Sequence, residues 1–215
     1  VDSEGITMQS DYLLNGEPIP FIQAANCGPA RVGAKIDWLV THTMESQEKP
    51  RTAKNVALWF GGKTKAEPPK ASAHYCLDGV DVIQCVSESV VAWAAPGANK
   101  NGIHIEHAGS AAQTPMQWDD PFSRAVLEQS AKLAADICKR HAIPIVRLSV
   151  VDLKAGKRGL CGHVDITNAF SGGKGHTDPG PSFPWDLYLE MVHKAALPPT
   201  LPPPPISGTM PPEFV

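Results

Sequence analysis

Histidines and carboxylates are the side chains here whose placement could do chemistry. Eight histidines are present, and a lone histidine is more often packed or solvated than functional, so each is weighed by its neighbours. His42 stands between two threonines at the end of a hydrophobic run, where strand ends commonly present side chains to a site. His163 lies in Cys161-Gly162-His163-Val164-Asp165 after a glycine-rich approach, and His176-Thr177-Asp178-Pro179-Gly180-Pro181 is a rigid turn carrying an imidazole and a carboxylate. Imidazole nitrogen and carboxylate oxygen are ligands that zinc accepts. Three protein ligands with one open position form the catalytic arrangement, whereas structural sites usually close with four. His104 and Glu106 are two apart in an alternating run and share one strand face, with His107 on the other. His74 is expected in mid-strand beside Tyr75. His141 and His193 fall near helix C-termini, where a partly protonated ring suits the dipole.

The elements that must position these groups follow from periodicity and punctuation. Residues 35–40 read as a largely buried strand running into Thr41-His42-Thr43. Pro50 is expected to open a helix at its first position, with Ala53, Val56, Ala57 and Phe60 on one face and Gly61-Gly62 closing it. Residues 72–77 and 81–86 read as strands joined by an Asp78-Gly79 turn. Residues 102–107 alternate with the period of a half-buried strand. Asp120-Pro121 starts a long helix on which Phe122, Val126, Leu133 and Ile137 recur at helical spacing. After Pro144, residues 145–151 read as another strand. A last helix, from about Pro184 to Ala196, carries Trp185, Leu189, Val192 and Ala196 on one stripe. Strands and helices interleaved around a hairpin predict an α/β domain with a central mixed β-sheet flanked by helices.

Composition narrows the function classes. In 215 residues, 19 basic against 22 acidic side chains give a formal charge of -3, which is no electrostatic footprint for nucleic acid or an anionic membrane. No apolar run approaches the roughly 18–20 residues of a membrane helix, so no membrane span is expected. Of 21 prolines, eight fall between Leu197 and Pro212, where they exclude a helix or central strand. Residues 1–19 are therefore read as an N-terminal extension, 20–196 as the folded domain and 197–215 as a proline-rich tail or linker. Five cysteines at irregular spacing suggest no disulfide framework or zinc knuckle. Counting outward from the hairpin turn sets Cys76 opposite Ile83 rather than Cys85, so reduced, buried thiols are expected. The acidic start Val1-Asp2-Ser3-Glu4-Gly5 carries no signal peptide; both an unexported chain and a mature form whose leader has been removed fit it.

Five segments, in order, carry a resemblance: Trp38-Leu-Val-Thr-His42-Thr, Ser72-Ala-His-Tyr-Cys-Leu-Asp78-Gly79, Gly102-Ile-His-Ile-Glu106, Gly162-His163-Val-Asp165 and Thr177-Asp178-Pro-Gly-Pro181. Over roughly residues 20–195 the chain resembles the zinc-dependent N-acetylmuramoyl-L-alanine amidases of the type-2 amidase and peptidoglycan-recognition-protein fold. The resemblance implies that residues 20–196 are a zinc amidase domain, with His42, His163 and Asp178 as the three Zn2+ ligands. It implies that Glu106 is the catalytic glutamate and that His176, where relatives commonly have lysine, faces the reacting carbonyl. Family members hydrolyse the amide between the lactyl group of N-acetylmuramic acid and L-alanine of the stem peptide, so the implied partner is peptidoglycan or a soluble muropeptide.

Two departures stand out. Imidazole in place of an ammonium at 176 is charged over a narrower pH range, so activity is expected to fall above neutrality and a His176→Lys variant to hold it to higher pH. Trp93-Ala94-Ala95-Pro96 replaces the Trp-His-Ala-Gly that relatives often carry, which puts one substrate contact in doubt and leaves the metal set untouched. The competing reading is a binding module of the same fold that holds muropeptide without cutting it. The complete set of two histidines, a carboxylate and Glu106 favours the enzyme. A phage-type lysin, a cytoplasmic recycling enzyme and an exported wall hydrolase all fit the chain, and nothing in it demands more than a monomer.

Overall fold

The computed structural model describes residues 10–198. In chain order the elements are β1 (Leu13–Leu14), β2 (Glu17–Pro18), β3 (Trp38–Thr43), α1 (Thr52–Phe60), β4 (Tyr75–Leu77), β5 (Val82–Gln84) and β6 (Gly102–His107). They continue as α2 (Pro115–Trp118), α3 (Pro121–His141), α4 (Val150–Lys154), β7 (Gly159–Gly162), α5 (His163–Phe170) and α6 (Trp185–Ala196). Five strands form the central sheet in the order β5-β4-β6-β3-β7. β3 runs parallel to both β6 and β7, β4 runs parallel to β6, and the β4–β5 hairpin is antiparallel. The sheet is mixed, as expected.

Strand alternation explains how the sheet is covered. Leu39, Ile103, Ile105, Tyr75, Leu77 and Leu160 share a core cluster with Val126, Leu127, Leu133 and Ile137 of α3 and Tyr188 and Val192 of α6. The opposite face is covered in two patches. Trp38, Val40 and Cys161 pack with Leu153 of α4 and Ile166 of α5, while Cys76 and Ile83 pack with Ala53, Ala57 and Phe60 of α1. Between those patches the same face of β3 and β6 carries His42, His104 and Glu106. A parallel strand buried on both faces ordinarily reads as a continuous apolar run. Here all six residues of β3 are buried, yet one is an imidazole.

Helix α3 forms as its sequence dictates. The Asp120 side chain accepts from the Ser123 N–H at 2.8 Å, Pro121 opens the first turn, and Lys139, Arg140 and His141 face the negative end of the dipole. His141 closes this helix and meets the buried Glu88 carboxylate, which also receives Arg140 and the Tyr75 hydroxyl. The β4–β5 register sets Cys76 opposite Ile83, as the turn arithmetic requires. The Cys76 and Cys85 sulfurs are diagonal neighbours 3.8 Å apart, both present as free thiols.

Several expectations need correction. The strand expected over residues 145–151 is not formed: a single bridge joins Arg147 to Leu160, and Val150 and Val151 belong to α4. Ser149 and Asp152 cap that helix reciprocally, which overrides the β-preference of the two valines. The strand that completes the sheet is instead β7, a short run bounded by glycines. The first helix begins at Thr52, not Pro50, because Arg51 adopts φ 73 and breaks the turn before it. β3 starts at Trp38 and runs through Thr43, so His42 lies within the strand. His74 precedes β4 rather than sitting inside it. On α6, Tyr188 and Val192 are the buried residues, and Ala196 is exposed. Residues 10–19 form the β1–β2 hairpin, with Tyr12 and Ile19 in the core and Asp11 bonded to Gln84 and the Glu88 N–H. Of the proline-rich segment, residues 199–215 lie outside the described residues, as do residues 1–9 of the extension.

Candidate metal centre

Three pieces of chain converge above the C-terminal ends of β3 and β6. The first is β3, which delivers His42 in register with Glu106 of β6, so the two side chains share a face. The second is the β7–α5 junction. Gly162 ends the strand and caps the helix whose first residue is His163, and its N–H donates to Asp165 Oδ2 at 2.7 Å. Arg147 holds Asp165 from outside at 2.7 Å while lying 3.9 Å from the centre of the Trp185 ring. A Cβ on Gly162 would stand 2.6 Å from Pro179 Cδ, so glycine is what lets the third piece approach.

That third piece is the turn around Asp178. Its carbonyl accepts from the Val164 N–H at 2.8 Å, tying it to the first turn of α5. Gly180 follows at φ 90, where a Cβ would lie 2.0 Å from the Ala111 carbonyl oxygen; both facts exclude a side chain. The Gly-His-x-Asp and Thr-Asp-Pro-Gly-Pro patterns are thus packing requirements that bring two ligand-type residues together.

The resulting cluster is compact and mostly buried. His42, His163 and Asp178 are buried, and one potential donor atom from each lies within 4.8 Å of the others. Asp178 Oδ2 is 3.1 Å from His42 Nδ1, and its Oδ1 is 3.2 Å from His163 Nδ1. Burial opposes ionisation of Asp178, but the hydrogen bonds from His163 and His42 win and hold its carboxyl below the usual carboxylate range. Burial is also the main influence on His42 and pushes its pKa down, favouring the neutral ring that can ligate. Two imidazoles and a carboxylate whose potential donor atoms converge in this way are a set suited to a divalent cation such as zinc.

Glu106 stands beside this cluster. Part of its side chain is open to the cleft, but Oε2 is sealed from solvent and has no hydrogen-bond partner among the described residues. Burial foremost, then the charges of Asp178 and Glu45, push its pKa well above the ordinary carboxylate value. His176 lies at the rim. Its side chain is 67% exposed, it stacks on His163 at 4.2 Å between ring centres, and its Nδ1 is 3.6 Å from Asp178 Oδ1. All five site residues expected from the sequence therefore line one cleft of about 250 Å³.

The cleft wall is apolar. Val56, Trp59 and Phe60 of α1 face it, together with Trp93 and with Ala94, which stands where relatives often carry histidine. Trp59 and Trp93 are each 40% exposed. Sequence reasoning missed the α1 contribution, although Trp59 falls outside the core-facing residues of that helix and was available as a signal. A larger cavity of about 750 Å³ lies near the end of α6, lined by Tyr12, Lys132, Asp136 and Ile143 among others. Among the described residues, its lining forms no donor cluster of the kind made by His42, His163 and Asp178.

Two further histidines support the strands from opposite sides. On the far face, His107 Nδ1–H donates to the His42 carbonyl at 2.9 Å. Its Nε2 accepts from Ser130, whose hydroxyl meets Tyr188 at 2.7 Å. On the near face, His104 Nδ1 lies 3.0 Å from His42 Nε2.

A mixed-sheet domain that gathers two imidazoles, a buried carboxylate and a protonatable carboxyl in one cleft has the make-up of a hydrolytic enzyme. Comparison with known proteins narrows that class. The sequence model of the N-acetylmuramoyl-L-alanine amidase family matches residues 32–181, so the chain belongs to that family and is an amidase directed at peptidoglycan. It is 29% identical over 163 residues to N-acetylmuramoyl-L-alanine amidase A of Achromobacter lyticus, spanning 72% of this chain and 82% of that protein. Among solved structures, the Staphylococcus aureus hydrolase AmiA in complex with its ligand superposes with a TM-score of 0.60 at 15% identity, covering 83% of this chain and 82% of that one. The AmpD protein superposes at 0.59 and 18%, covering 87% and 99%. The fold is that of the type-2 amidases. No helix among the described residues is long and apolar enough to cross a membrane.

Proposed function

We propose that the chain is a zinc-dependent amidase that hydrolyses the bond between the lactyl carbonyl of N-acetylmuramic acid and L-alanine of the stem peptide. The observation that carries this reading is the convergence of His42, His163 and Asp178 donor atoms within 4.8 Å, beside a Glu106 carboxyl with an unpaired oxygen. His42 and His163 would hold the ion through Nδ1, and Asp178 through its carboxylate. A zinc ion there would supply Lewis acidity, lowering the pKa of water towards about 7 and polarising the carbonyl oxygen.

The chain's own residues account for the proton movements. The Glu106 carboxylate takes a proton from the attacking water as the water oxygen bonds to the carbonyl carbon. It returns that proton to the alanine nitrogen as the C–N bond breaks, leaving a free carboxylic acid and a free amine. Such a group contributes about 10²–10⁴ in rate. A raised pKa makes the carboxylate the stronger base for the first half of that cycle. His176, at the rim of the cleft and stacked on His163, would lend positive charge to the developing oxyanion when protonated. Trp59, Phe60 and Trp93 offer apolar faces to sugar or peptide.

The test is Glu106→Gln. Sedimentation with insoluble peptidoglycan should show binding equal to wild type, while release of stem peptides falls by about 10²–10⁴. Release at the wild-type rate from the variant would defeat the assignment of Glu106.

A further inference from the structure

A neutral imidazole has one N–H and one lone pair, so offering one nitrogen to a cation makes the other a donor that needs an acceptor. His42 turns Nδ1 towards Asp178, and its Nε2 points back into the protein, 3.0 Å from His104 Nδ1. We propose that His104 is a positioning residue for the metal centre: its Nδ1 accepts the His42 Nε2–H, holding His42 with the Nδ1 lone pair directed at the ion. The inference rests on the functional reading above, which makes His42 a ligand.

Three observations support it. His104 is placed by the sheet itself. It precedes Glu106 by two residues on β6 and pairs with Val40, so its ring lies beneath that of His42, at 5.2 Å and 54°. His104 is also braced from behind. It stacks on His74 at 5.6 Å and 14°, and its backbone N–H donates to His74 Nδ1 at 3.1 Å. His74 Nε2 in turn lies 3.1 Å from the Val90 carbonyl and 2.9 Å from Arg31 Nη2. Arg31 fills the space beyond, donating to the Val90, Gly102 and Lys100 carbonyls.

The third observation concerns the other nitrogen. His104 Nε2 is buried without a hydrogen-bond partner among the described residues. A ring used only to fill space would be better replaced by an apolar side chain, which leaves no polar atom dry. The unpaired Nε2 is intelligible if Nδ1 is needed as an acceptor, because a neutral ring accepting at Nδ1 must carry its proton at Nε2. Histidine ligands ordinarily give their second N–H to a carboxylate, a carbonyl or water. In this chain a third imidazole takes that place.

The test measures zinc affinity of the full chain by competition with a chromophoric chelator, for wild type, His104→Leu and His104→Asn. Leucine fills the site without an acceptor, and the asparagine amide oxygen stands near the position of Nδ1. The leucine variant should bind zinc about 10–100-fold more weakly, and the asparagine variant within about threefold of wild type. Circular dichroism of the chelated proteins checks that each is folded. Wild-type affinity in a folded leucine variant would overturn the inference while leaving the functional reading intact; absence of zinc binding by wild type would overturn both. Should the leucine variant fail to fold, ¹⁵N correlation spectra of the zinc-loaded wild type decide. A proton on His42 Nε2 facing an unprotonated His104 Nδ1 upholds the proposal, and a protonated His104 Nδ1 overturns it.

Discussion

Exchanging Glu106 for glutamine should move stability and activity in opposite directions. Burial and the charges of Asp178 and Glu45 raise the pKa of this carboxyl above its ordinary 4.5. In the chelated protein the folded state keeps a proton here that the unfolded chain releases above about pH 4.5. Glu106 therefore subtracts stability as pH rises through that window, by about 1.4 kcal/mol per pH unit, until its folded-state pKa is passed. Glutamine has the same shape and does not ionise. The variant's stability relative to wild type should be level below about pH 4.5 and climb with that slope above it. Other groups titrate over the same range, so the informative quantity is the difference between the two proteins at each pH, from urea unfolding in the presence of chelator. Meanwhile the lost base should lower the zinc-loaded rate by about 10²–10⁴, equivalent to about 3–5 kcal/mol in the barrier. A glutamine variant less stable than wild type at neutral pH would refute the electrostatic argument, and one retaining its rate within about tenfold would refute the catalytic one.

Other consequences are as direct. His74 is pushed down to about 3 and His107 to about 4, chiefly by burial, and His42 and His104 are lowered for the same reason. The unfolded chain binds protons below about pH 6.5 that the fold refuses, so stability present at neutrality is lost on acidification, at up to about 1.4 kcal/mol per pH unit for each ring. The urea midpoint of the chelated protein should fall between pH 7 and pH 5, and an unchanged midpoint would contradict this. Asp178→Ala leaves two imidazoles in the cluster; zinc retention on gel filtration and amidase activity should disappear together, and survival of either would remove Asp178 from the ligand set. Asp120→Ala deletes the cap on the Ser123 N–H and should lower stability by about 1 kcal/mol. Activity per folded molecule should not change in that variant, and a drop would mean that α3 influences the site.

The sequence discloses the site more fully than the scaffold beneath it. Local patterns mark His42, His163, His176 and Asp178 as candidates, through a strand end and two glycine-bearing turns whose packing demands are now visible at Gly162 and Gly180, while the choice of Glu106 and the roles of all five came from the family resemblance. The hairpin register was legible because a two-residue turn fixes pairing. β7 was not, since four residues bounded by glycines show no period. Residues 145–151 misled because two adjacent valines suggest a strand, while the Ser149–Asp152 cap that decides the matter was overlooked. Tyr188 was left off the α6 stripe, although its hydroxyl joins a buried network that ends at the His42 carbonyl. The contact between His104 and His42 depends on the register of two strands 62 residues apart, and neither strand carries that information alone.

The central claim, metal-dependent cleavage of one particular amide, is tested most directly by mass spectrometry of purified peptidoglycan digested with the zinc-loaded protein, alongside the same digestion after chelation. The account predicts glycan strands freed from intact stem peptides that begin with an unblocked L-alanine amine, appearing with metal and absent without it. Release that persists after chelation, or no release under conditions where zinc binds stoichiometrically, would contradict it.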